Sequence, residues 1–230
     1  MTRTWKGAVA LAVLAAACAG HRSGEGDGPR VADADLGRLA PEQMQPVDDA
    51  RRYLASARDE LARAKLRQQD LTQEAALSKA DQEAAEALRH RAEANAKAAD
   101  ASRAPAQVEQ ARQMQEQAKL AKSAADARAD WAAKASAARQ AGVRAAEQQV
   151  RLGDARVEEA KLRALQAASI PAATKYDAAR FQEQVQGAQR AFDDALKKTR
   201  DLDGQATASQ QRWQDLQKQL QARGTAVPTG

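Results

Sequence analysis

Residues 181–220 read FQEQVQGAQRAFDDALKKTRDLDGQATASQQRWQDLQKQL. Within this stretch Phe181, Val185, Ala188, Phe192, Ala195, Thr199, Leu202, Ala206, Ser209, Trp213, Leu216 and Leu220 follow one another at alternating steps of four and three. Side chains so spaced stand on one face of an α-helix. The spacing therefore predicts a long helix with one continuous seam, which is a coiled-coil signal. Phe181, Phe192 and Trp213 all fall on that seam, so they are expected to pack in a core rather than meet a partner.

Working back from this helix, Ser169-Ile170-Pro171 is a clear break, because proline ends helices and restricts the residue before it. Thr174 is the expected cap of the next helix, with Asp177 in its first turn. A preceding helix is expected over residues 106–168. There Val143, Val150 and Val157 recur every seven residues, interleaved with Ala146, Gly153 and Ala160. Trp131, Ala138, Ala145 and Leu152 recur on another face, with Leu162 continuing it. A helix apolar on two sides is packed on two sides, so this one is expected in the middle. Pro105 marks the earlier break and is read as a hairpin corner in preference to a kink. The first helix, residues 47–103, begins with a heptad seam of Val47, Leu54 and Leu61, each followed three places on by Ala50, Ala57 and Ala64. Further along, Leu66, Leu77, Leu88 and Ala99 lie eleven apart, which predicts a change of supercoil.

Composition agrees with a helical rod. Alanine supplies 60 of the 230 residues, and aromatics reach only 3%. Alanine is the best helix former but buries little area, so a thick core is not expected. No sustained alternation of β-branched and aromatic residues suggests a strand. The expected fold class is all-α: long antiparallel coiled-coil helices, residues 47–103, 106–168 and 174–223, as a three-helix up-down-up bundle. Residues 224–230 are expected as a disordered tail. The net charge of +5 is a small surplus among 36 basic and 31 acidic side chains. They are interspersed rather than clustered, so a nucleic-acid partner is not expected.

The N-terminus reads MTRTWKGAVALAVLAAAC. Arg3 and Lys6 precede an apolar stretch, Gly7–Ala17, which is too short to span about 30 Å of hydrocarbon and suits a signal peptide over residues 1–17. Cys18, the single cysteine, follows at once. The segment Leu14-Ala15-Ala16-Ala17-Cys18 resembles the lipobox of bacterial lipoproteins, with Ala15 where that family favours leucine. The resemblance implies cleavage before Cys18 and acylation of that cysteine, by fatty acids such as palmitate. Two or more acyl chains hold a protein on a bilayer. Ala19, in place of the aspartate that retains many such proteins at the inner membrane, implies the outer membrane, facing the periplasm. Residues 18–46, with Gly20, Gly24, Gly26, Gly28 and Pro29, are expected to be a flexible tether.

No arrangement suited to catalysis is legible. His21 lies in the tether and His90 on a charged helix stretch, so no metal-ligand spacing exists and no cofactor is called for. The carboxylates stand among Lys and Arg at helical spacing, where ion pairs are ordinary. Trp131, off the main seam of its helix, is the candidate for contact with the first helix or with a partner. The expected function is non-enzymatic: an envelope lipoprotein acting as a coiled-coil spacer, scaffold or protein-docking rod, with homo-oligomers possible in principle. The alternatives are a helical-hairpin adaptor for an efflux or secretion channel and a membrane-surface lipid-binding protein.

Overall fold

A computed structural model describes residues 28–224. The expected signal peptide (residues 1–17), Cys18, His21 and the expected tail from residue 225 on lie outside the described residues. Among the described residues there are five helices, α1 (Asp33–Leu36), α2 (Pro41–Gln69), α3 (Leu71–Ser102), α4 (Pro105–Ala167) and α5 (Ala178–Gly224), with a 3-10 turn over Pro171–Lys175. There is no strand among the described residues, and the fold is all-α.

Both prolines are corners. At the first, Arg103 adopts the left-handed conformation (φ 55°) and its N–H donates to the Ala99 carbonyl. The Ser102 hydroxyl donates to the same carbonyl and accepts from the Ala104 N–H. Pro105 then opens α4, where its missing N–H costs nothing. At the second corner Ser169 is left-handed (φ 52°), Ile170 N–H donates to Leu165 and Ser169 N–H to Gln166. That pair of bonds, with Ile170 packed beside Leu165 in the core, is a Schellman ending. Thr174 does not cap the next helix. It lies inside the 3-10 turn, its hydroxyl donates to Pro171, and the Asp177 carboxylate accepts the Ala179 N–H to start α5.

The helices run up, down and up. Arg128 meets Asp81, Lys122 meets Glu86, and Arg58 meets Asp154, which sets α2 and α3 antiparallel to α4. Arg156 meets Gln189 and Glu116 meets Arg223, which sets α5 antiparallel to α4. The 63-residue α4 is about 95 Å long and is the middle member. It packs against α2 and α3 on one flank and α5 on the other, and α5 has no comparable packing on α2 or α3. Its two apolar sides account for this placement. Ala146, Gly153 and Val157 are buried, and so are Ala138, Ala145, Leu152 and Leu162.

Two corrections concern the first helix. It begins at Pro41, six residues earlier than expected, with the Ala40 N–H held by the Gln43 side chain. The eleven-residue pattern is not the packing seam: Leu66 and Leu77 are exposed, Leu88 is half-buried, and of the four only Ala99 is buried. Instead the heptad of Ala57 and Ala64 continues through half-buried Leu71 to buried Ser78, Ala85, Ala92 and Ala99. Small side chains form that seam, so the bulkier leucines beside it drew attention away. α2 and α3 are separated only at Asp70, whose backbone stays helical.

Large side chains gather at one end, hereafter the base. Val31, Leu36, Leu162, Leu165 and Phe181 form its buried cluster, with Leu39, Met44, Ile170 and Tyr176 packed around it. Residues 28–40, expected within the flexible tether, are instead docked there, because Val31 and Leu36 give the segment apolar side chains to bury.

Candidate functional site

Three side-chain clusters join the helices. The first lies midway along α4. Arg128, only 14% exposed, donates to Asp81 (2.7 Å) and Glu74 (3.0 Å) on α3. Its guanidinium lies 5.2 Å from the ring centroid of Trp213 on α5. Burial disfavours its charge, but the hydrogen bonds to Asp81 and Glu74 outweigh that and raise its pKa. One side chain thus ties α3, α4 and α5 together. Arg156, four heptads further along, repeats the device: it stacks on Tyr53 of α2 at 4.8 Å and donates to Gln189 of α5. Between the outer helices lie shallow grooves of about 210 Å³, lined by Leu88, Ala121, Ala125 and Leu220 among others, and about 370 Å³, around Arg67, Gly142 and Thr199.

The second cluster adjoins the first. The Asp130 carboxylate accepts from Lys134 (2.8 Å) and from the buried Ser209 hydroxyl (2.8 Å), and Lys134 also donates to Ser209. The Lys134 hydrogen bond, followed by that of Ser209, holds the Asp130 carboxyl below the usual range. A serine beside a lysine invites a nucleophilic reading. The geometry gives a latch: an ammonium donating to both neighbours has no lone pair with which to take the serine proton. The cluster is a polar tie between α4 and α5.

Trp131 belongs to this region. It stacks on Trp213 with centroids 5.0 Å apart and planes 4° from parallel. One of its ring faces is thus occupied within the chain by a residue of α5. Trp213 and Phe192 are half-buried on the α5 seam, and Phe181 is fully buried. None of the twelve seam positions of α5 is exposed.

The third cluster is the clasp at the base. Val31, 3% exposed, donates its N–H to Glu158 (2.8 Å), and Ala32 donates to the Tyr176 hydroxyl (3.0 Å). Tyr176 donates in turn to Asp35 (2.7 Å). Lys161 is buried on α4 and donates to Asp33 and Glu158, both at 2.9 Å. Gly28 lies so close to Gln184 of α5 that a Cβ there would meet the Gln184 amide. Of these residues the sequence had marked only Gly28, and that as part of a flexible tether. The available signal was Val31, Leu36 and Leu39, three apolar residues within a polar stretch.

Among the described residues no group of three or more His, Cys, Asp or Glu is placed to hold a metal. His90 is exposed near Glu93. No described helix is long and apolar enough to cross a membrane. No family model, curated protein or solved structure matches this chain.

Proposed function

We propose that this protein is a non-enzymatic bacterial cell-envelope lipoprotein, held on the outer membrane through Cys18, in which the helical body acts as a spacer or docking rod facing the periplasm. The observation that carries the rod is α4, 63 residues without interruption and flanked on both sides for most of its length. The alanine and serine seams suit reach more than enclosure, since small residues bring helices close without leaving room for a ligand. The anchor rests on Cys18 and the apolar stretch before it.

The intact mass of the mature protein from bacterial membranes tests the anchor. Cleavage before residue 18 and the added mass of acyl chains are expected, and a Cys18→Ser variant should leave the membrane fraction. An unmodified Cys18 overturns the reading.

One observation favours the hairpin adaptor as a second reading. Among the described residues the last α4–α5 ion pair is Glu116–Arg223, so α3 and the start of α4 run on beyond the described end of α5. The eleven residues from Pro105 to Gln115 leave a two-helix tip of about 17 Å. Such a tip is the part an adaptor would insert into a helical partner. Shortening it by matched deletions in α3 and α4 should abolish partner crosslinking while keeping membrane attachment.

A further inference from the structure

The clasp at the base has a consequence for how the rod stands. Chain leaving Cys18 reaches the folded body at Gly28, and ten residues span at most about 35 Å. The next twelve residues add no reach, because they are pinned. Gly28 rests on Gln184, Val31 is buried among Leu162, Leu165 and Phe181, and Asp33 and Asp35 are bound to Lys161 and Tyr176. Undocked, residues 18–40 would be a leash of about 75 Å, long enough for the body to take many positions over the surface. Docked, they hold the base close.

The opposite end is far away. Lys161 lies 56 residues from Pro105 along α4, about 84 Å. The charges between them are mixed, with Arg or Lys paired to Asp or Glu along α2, α3, α4 and α5, which gives no broad apolar face to lay on lipid.

We propose that residues 28–40 are a strap that transmits the membrane anchor to the α4–α5 corner and so gives the rod a polarity: base against the bilayer, Ser102–Pro105 tip directed away from it. The proposal rests on the anchor reading for its membrane, and on the clasp alone for its mechanics. The partner at the base is a lipid surface. The tip is the end left free for a protein.

The test uses the full lipid-modified chain in phosphatidylcholine vesicles that carry an energy-transfer acceptor on their lipids. A donor is placed on a single introduced cysteine, Ala167→Cys at the base or Ala101→Cys at the tip, both exposed. Efficient transfer from the base and transfer near background from the tip are expected. Val31→Asp, which puts a charge in the buried pocket, and Lys161→Met, which removes the ammonium but keeps the stem, should each lower base transfer as the leash lengthens. Equal transfer from both ends, stronger transfer from the tip, or base transfer unchanged by both variants overturns the polarity.

Failure of the anchor looks different. Intact mass then shows Cys18 without lipid, and the clasp is read on the soluble protein by hydrogen exchange. Protection of the Val31 and Ala32 amides, lost in Val31→Asp and Lys161→Met, supports the strap. Free exchange in the parent chain overturns it.

Discussion

Trp131 and Trp213 stack face to face, 5.0 Å between centroids, although they come from different helices and only Trp213 sits on the main seam of its own. Beneath Trp213 lies the Arg128 guanidinium, so the two rings and the cation form one unit across α4 and α5. Aromatic pairs contribute about 0.5–1.5 kcal/mol beyond the area they bury. A double-mutant cycle of Trp131→Ala and Trp213→Ala, read by urea unfolding, should return a coupling in that range. Additive losses would mean that the rings merely lie near one another.

Two glycines on neighbouring helices should respond in opposite directions. A Cβ on Gly153 would stand 3.1 Å from the Leu54 Cα, so Gly153→Ala must push α2 and α4 apart. Overpacking of this kind costs about 1–3 kcal/mol, more than the roughly 1 kcal/mol gained in helix propensity. Gly204 in α5 has nothing within 4 Å of its missing Cβ. Gly204→Ala should therefore stabilise by about 0.5–1 kcal/mol. Melting temperatures decide both, and equal signs would contradict the packing described.

Arg103 holds a left-handed conformation that costs a residue with a Cβ about 1–2 kcal/mol. Arg103→Gly should relieve that strain, offset in part by the greater freedom glycine has in the unfolded chain. A net gain of about 0.5–1 kcal/mol in chemical denaturation is expected. A loss would show that the side chain matters more than the corner.

Docking of the strap should fail at both extremes of pH. The hydrogen bond from Lys161, then its charge, holds the Asp33 carboxyl below the usual range. This contribution is complete above the ordinary aspartate value of about 3.9 and is lost as pH falls through the lowered one. At Lys161 burial opposes the ammonium, yet the bonds to Asp33 and Glu158 prevail and its pKa is raised. The Tyr176 phenol is raised chiefly by its bond to Asp35. Both contributions are complete below their ordinary values, about 10.4 and 10, and disappear as pH climbs through the raised ones. Val31 methyl shifts followed by NMR should keep their docked positions from about pH 4 to 10. Release with a midpoint near neutrality would rule out this account.

A helical chain, corners at Pro105 and Pro171, and one seam on α5 from Phe181 to Leu220 were all legible in the order of residues. These follow from local chemistry: alanine and long polar residues favour helix, proline cannot continue one, and a 3.6-residue turn places a four-three pattern on one face. Apolar residues on two sides also put α4 in the middle. Which residues cross between helices emerged from the packing alone. Arg128 and Arg156 look like any other solvated arginines in sequence, because what distinguishes them is an acid or aromatic ring more than thirty residues away. The seam through Ser78, Ala85 and Ala92 is equally silent, since small residues are ordinary on exposed helix faces too. The strap reads as tether for the same reason. Its order comes from Leu162, Lys161, Tyr176 and Phe181, which lie more than a hundred residues further on and meet it only after the helices have turned back on themselves.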